Sequence, residues 1–220
     1  MPLILVVVLV WSGCAGPRSL SQLKEMKKDW KEGDYASVAA EKVLCKPSID
    51  GCNQLHLMKG DACFRMAKQG VEPRRHYQCA ADHLEEGIHQ TREWRLEGLD
   101  LNRPQTYENL SESLRQWQDM EKGAEADLLT ERLLKTSEAF LQAEPGNPAG
   151  IYFQASARLT LLHKALLHPE RSPGLCKELN DALNPLLAAL PRVGGTRYEP
   201  NYHRLRLDIQ GAKQAVPGCT

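Results

Sequence analysis

The chain has 220 residues, 28 of them basic and 28 acidic, so it carries no formal net charge at neutral pH. That balance argues against nucleic acid as the main partner, because phosphate binding needs a basic surplus. Seven cysteines are many for a chain kept in a reducing cytosol, and the low aromatic content beside plentiful Leu and Ala points to helices rather than sheets.

The N-terminus opens on an apolar run, Leu3 to Val10, followed by Trp11-Ser12-Gly13-Cys14-Ala15-Gly16. The run is too short to span a bilayer as a helix and has the length of a signal-peptide core. Small residues directly before a cysteine resemble the lipobox of bacterial lipoproteins, although Trp11 stands where that family usually has Leu. The resemblance implies that residues 1–13 are a signal peptide and that Cys14 becomes a lipidated N-terminus. Three acyl chains, palmitate among them, would then give a stable anchor where one chain is marginal. By the sorting rule of that family, the resemblance with Ala15 rather than Asp after the cysteine implies the outer membrane, periplasmic face. Residues 14–19 read as lipidated Cys and tether, and 20–220 as one helical domain. The competing reading of the run is a buried N-terminal strand or helix.

A first helix carries Leu20, Leu23, Met26 and Trp30 on one face. Gly33 suits a left-handed helix end, and Asp34 suits the cap of a second helix with Tyr35, Val38, Ala39 and Val43 at helical spacing. A loop from Cys45 to Cys52 follows, then a third helix over 53–68 with Leu55, Met58, Ala62 and Met66 on one face. The fourth carries Tyr77, Ala80, Ala81, Leu84 and Ile88 and reads as running past Trp94, up to Asn102-Arg103-Pro104. The fifth shows Tyr107, Leu110, Leu114 and Trp117, with Gly123 as its stop. The sixth shows Leu129, Leu133 and Phe140, and the seventh Tyr152, Ala155, Leu159, Leu162 and Leu166. After a loop over 168–174 the eighth shows Leu175, Leu179, Ala182, Leu186 and Leu190. Pro185 within it predicts a kink or a restart capped by Asn184. The ninth shows Tyr202, Leu205, Ile209, Ala212 and Val216. No strand pattern appears outside the signal region. The expected fold class is all-α.

Trp30, Gly33, Asp34, Tyr35 and Val38 resemble the turn between the two helices of a tetratricopeptide (TPR) repeat. Glu138 to Pro148 is similar to the end of one such repeat, with Tyr152, Ala155 and Ala157 resembling the aromatic and small positions of the next. The resemblance implies a TPR-like stack of about four antiparallel helical hairpins plus a C-terminal capping helix. The repeats are irregular, and several exceed the family's usual length of about 34 residues.

Setting Cys14 aside, six cysteines allow 15 connectivities. The hairpin topology selects one. Cys45 pairs with Cys52 across their loop, and Cys63 with Cys79 across the third and fourth helices. Cys176 pairs with Cys219 at one end of the last two. Six free, buried thiols are the competing reading.

His76, Cys79 and His83 share a helical face, but the paired cysteine motifs of metal or haem sites are missing, so no metal or cofactor is expected. No nucleophile elbow, phosphate loop or His-Glu-x-x-His motif occurs, which argues against an enzyme. In TPR-like stacks, partners bind across the groove lined by the first helix of each hairpin. The polar candidates there are Lys59, Arg65, Arg115, Gln116, Gln154 and Arg158. Leu57 and Phe64, off the main stripe of the third helix, read either as packed on a neighbouring hairpin or as exposed for a partner. The resemblance to TPR-like lipoproteins implies a protein-binding scaffold or docking factor for an envelope machine such as a pilus or secretion channel. The alternative is a small-ligand-binding or transporter-accessory lipoprotein.

Overall fold

The computed structural model describes residues 16–47, 49–94, 96, 98–167 and 174–219, with backbone alone for 16–19. The apolar run, Cys14 and most of the 168–174 loop lie outside the described residues. The described chain is all-α, with no strand. Its helices are α1 (Gly16–Glu32), α2 (Tyr35–Ala40), α3 (Cys52–Lys68), α4 (Pro73–Gln90), α5 (Arg103–Gln118), α6 (Ala124–Ala143), α7 (Pro148–Leu166), α8 (Leu175–Val193) and α9 (Glu199–Gln214).

The starts and stops follow from local chemistry. Gly33 sits at φ +80°, where a side chain would be strained, and ends α1. The Asp34 carboxylate then accepts the Ser37 N–H and starts α2. Asn102 and Asn147 cap α5 and α7 in the same way. Pro73, Pro104, Pro148 and Pro200 stand in first turns, where a missing N–H costs nothing.

Each helix packs on the next in chain order, and the odd-numbered ones form a second set of contacts: α1 on α3, α3 on α5, α5 on α7, α7 on α9. The α3–α4 pair is antiparallel, since Leu57 meets Gly87 while Gly60 meets Leu84. A Cβ at Gly60 would lie 2.6 Å from Leu84 Cγ, and one at Gly87 would lie 2.7 Å from Leu57 Cδ2. Only glycine lets these backbones come so close. Leu57 is therefore core, and Phe64 packs edge-on against Tyr77.

Cys45–Cys52, Cys63–Cys79 and Cys176–Cys219 are disulfides, with Cα separations of 5.7, 5.9 and 5.4 Å. These are the pairs that the hairpin topology selects.

Five expectations need correction. Helix α1 begins at Gly16, so Gly16 to Ser19, read as tether, form its first turn. Met26 and Trp30 are buried, but Leu20 is 60% exposed. Helix α2 stops at Ala40, short of Val43, because the Gln22 side chain on α1 takes up the backbone beyond it. Gln22 donates to the Lys42 carbonyl and accepts from the Leu44 N–H. Helix α4 stops at Gln90, since Thr91 is extended and its hydroxyl donates to the Gly87 carbonyl. The connection after it buries Leu96 and Leu101 in the core, a non-helical use of apolar residues. Helix α8 runs unbroken through Pro185, so no restart occurs at Asn184.

Candidate functional site

The odd-numbered helices carry a row of polar and aromatic side chains that spans the molecule. At one end stands Asp61 of α3, 1% exposed. Its carboxylate accepts the Trp30 indole N–H at 3.2 Å, Arg65 Nε at 2.7 Å and Asn109 Nδ2 at 3.2 Å. One buried acid therefore ties α1, α3 and α5 together with every bond charge-assisted. The Arg65 guanidinium lies 4.7 Å from the Tyr35 ring centroid and 5.8 Å from that of Trp30. Burial works against its charge, but the hydrogen bond and charge of Asp61 outweigh that and hold its pKa above the usual value.

The row continues along α5. Gln105 donates to Asn109 at 2.8 Å, and Gln116 donates to Glu112 at 2.9 Å. Arg115 is half-buried between Glu112, at 3.1 Å, and Asp119, at 3.3 Å. Burial again opposes the Arg115 charge, and the Glu112 partner more than restores it. The Tyr152 phenol of α7 lies within electrostatic reach of this pair, and burial raises its pKa.

Arg197, just before α9, reaches Glu108 of α5 at 2.6 Å and covers the Tyr198 ring at 5.1 Å. Tyr152, Tyr198 and Tyr202 form an aromatic cluster with Phe153, and the Tyr202 hydroxyl donates to the Pro148 carbonyl at 2.6 Å.

One unit thus occurs twice, an arginine set between a carboxylate and a tyrosine ring, and a third arginine lies between two carboxylates. Arg65 has Asp61 and Tyr35, and Arg197 has Glu108 and Tyr198; Arg115 has Glu112 and Asp119, with the Tyr152 phenol within electrostatic reach. The arginines are held in place and keep part of their surface in water. Fixed guanidinium forks beside aromatic rings are the groups that dominate protein-binding hot spots.

The six residues nominated from the sequence do not share one surface. Arg65, Arg115 and Gln116 belong to the row. Lys59 faces the other way, donating to the Glu41 carbonyl in a groove between α2, α3 and α4. Burial lowers its pKa. Arg158 pairs with Glu138 of α6 at 3.8 Å and lines a small open groove with Leu134, Leu161 and Leu162. Gln154, one turn before Arg158, shares its face of α7, away from Tyr152.

Asp61, Glu108, Glu112, Tyr152, Arg197 and Tyr198 were not nominated. Asp61 and Arg65, and Glu112 and Arg115, stand at helical pair spacing and could have been found that way. The Arg197–Glu108 pair leaves no local mark in the sequence.

The histidines sit apart from the row. His76 Nδ1 meets the Val71 carbonyl, Cys79 is in its disulfide, and His83 Nδ1 lies 2.9 Å from His56 Nδ1. Burial lowers both partners, and His83 falls to about 4, so the pair is neutral and shares one proton across that contact. Cys45, Cys52 and His56 have ligand atoms within 4.8 Å of one another, but the two sulfurs are bonded to each other and are not thiolates. Among the described residues no helix is long and apolar enough to cross a membrane.

No family model, curated protein or solved structure matches the chain.

Proposed function

We propose that this protein is a TPR-like lipoprotein, held through Cys14 at the periplasmic face of the outer membrane, whose odd-numbered helices bind another envelope protein. The observation that carries the reading is the row of three carboxylate-paired arginines, Arg65, Arg115 and Arg197, set among the tyrosines of α2, α7 and the start of α9. Contacts of each odd-numbered helix with the next are what a stack of hairpins with a capping ninth helix requires. The left-handed Gly33, the Asp34 cap and buried Trp30 and Val38 support the TPR resemblance of the first turn. Three disulfides support a site of action outside the reducing cytosol. A scaffold or docking role for an envelope machine follows from that resemblance.

The test is capture of envelope proteins by the tagged protein and two variants. Arg115→Ala removes the central arginine, and Arg158→Ala removes one on the opposite face of α7. The expected result is a stoichiometric partner whose binding falls about tenfold or more with Arg115→Ala and is unchanged with Arg158→Ala. Equal retention by both variants would contradict the assignment of the face. Separately, Cys14→Ala is expected to move the protein from the membrane to the soluble fraction; an unchanged distribution contradicts the anchor.

A further inference from the structure

The whole chain is neutral, but α1 is not evenly charged. Lys24, Lys27, Lys28 and Lys31 recur at i, i+3, i+4 and i+7, which places them on one strip of the helix. Its acidic residues Glu25, Asp29 and Glu32 fall on a different strip, so no carboxylate of α1 interrupts the lysines. Leu20 and Leu23 continue the lysine strip toward the N-terminus. The six side chains line one shallow open groove of about 500 Å³. Leu20 is 60% exposed at its start, and Lys24, Lys28 and Lys31 are exposed along it. The core side of α1 is separate, with Met26 and Trp30 buried.

We propose that this strip is a binding site for an anionic lipid surface, with α1 lying along the headgroups. The chemistry is that of an interfacial amphipathic helix: the exposed apolar Leu20 at one end, with half-buried Leu23 beside it, and a line of amines on the same face. The position fits, because α1 begins at Gly16, two residues after Cys14 and a few after the apolar run Leu3 to Val10. Whatever the membrane holds of those residues, the first turn of α1 starts beside it. The exposed Lys24, Lys28 and Lys31 then meet lipid phosphates, each contributing independently to partitioning. The proposal deepens the envelope reading by fixing how the folded part lies on its membrane: α1 down, and the far end of the row, on α5, α7 and the start of α9, away from it in the chain of helix contacts.

The test uses the full chain and vesicles of either pure phosphatidylcholine or phosphatidylcholine with phosphatidylglycerol at about seven to three, the regime in which surface charge governs binding. The readout is the ratio of binding to anionic over neutral vesicles. The apolar run and any acyl group on Cys14 are common to every arm, so the ratio does not depend on whether Cys14 is lipidated. Failure of the lipoprotein reading is seen separately in the Cys14→Ala fractionation. The wild-type ratio is expected to be on the order of a hundredfold, about fivefold for each exposed lysine of the strip, and to collapse as salt rises from about 0.1 M to about 1 M. The variant Lys24→Gln/Lys27→Gln/Lys28→Gln/Lys31→Gln is expected to lose about fivefold for each lysine that faces the lipid. A control with Lys68→Gln/Lys122→Gln/Lys135→Gln/Lys177→Gln has the same net charge change at exposed positions elsewhere and is expected to keep the ratio. Equal binding to both vesicle types, as for a strip that serves an acidic protein segment, overturns the proposal. So does an equal loss in the control. Melting curves of both variants establish that they remain folded.

Discussion

Helices α3 and α4 meet through glycine, whereas α5, α7 and the start of α9 meet through tyrosine and arginine. At the first interface Gly60 and Gly87 admit Leu84 and Leu57 at distances that a Cβ would forbid, and Cys63–Cys79 closes one end. At the second, Tyr152 packs on Tyr198 and Tyr202, while Arg115 pairs with Glu112 and Arg197 with Glu108, these four charged side chains being half-buried or partly exposed. Close apolar packing needs no second purpose. Half-buried ion pairs seldom beat apolar packing of the same volume, so a row of them suits a surface kept for a partner. The difference separates residues that hold the fold from residues that present a face.

The largest expected effects come from the disulfides, because they constrain the unfolded chain according to loop length. The sequence separations are 43 for Cys176–Cys219, 16 for Cys63–Cys79 and 7 for Cys45–Cys52. Paired Cys→Ser changes should therefore cost about 4, 3 and 2 kcal/mol in that order, read by urea unfolding. If losing Cys176–Cys219 costs least, the tyrosine cluster alone holds the C-terminal helices.

Gly60→Ala should cost about 1–3 kcal/mol, because the new methyl meets Leu84 backbone as well as its side chain. Gly211→Ala on α9 meets nothing within 4 Å and should instead stabilise by about 0.4–1 kcal/mol. Equal melting shifts for the two would remove the distinction between a close interface and an open helix face.

At the aromatic interface, Tyr202→Phe deletes the hydroxyl that donates to the Pro148 carbonyl. The expected loss is about 1 kcal/mol, measured by thermal or urea unfolding. No loss would mean that stacking, not this bond, joins α9 to α7.

The smallest effect concerns the histidine pair between α3 and α4. Burial holds His83 near 4, against an ordinary value of 6.5. Between these values the unfolded chain takes up a proton that the folded chain refuses, so stability is full above about pH 6.5 and falls as the pH drops toward 4. For a half-buried ring the loss is on the order of 1 kcal/mol after solvent screening. His83→Asn should flatten that part of the pH dependence of unfolding; an unchanged slope would place the proton elsewhere.

Much of the fold was legible because its signals are local. Gly33 and Asp34 mark a helix end and a cap within two residues, and the apolar stripes of α3 to α9 give the order of the helices. The disulfides could be read because antiparallel neighbours bring specific cysteines to the same end. What escaped is long-range. Helix α2 ends early because Gln22 reaches its backbone from α1, and α4 ends early because Thr91 turns and Leu96 and Leu101 dock without a helix. The polar and aromatic row was only half visible. Arg65, Arg115 and Gln116 belong to it, but Lys59, Gln154 and Arg158 sit on other faces, since polarity alone does not say which side of a helix a neighbour covers.

The most direct measurement places a photo-crosslinking amino acid at Gln116 in one cell line and at Gln154 in another, with the protein at its native level. Gln116 lies in the row and Gln154 on the far side of α7. A discrete adduct with one envelope protein from Gln116, and none from Gln154, is the expected outcome. No adduct from Gln116, or the same adduct from both positions, would contradict a partner seated on the odd-numbered helices.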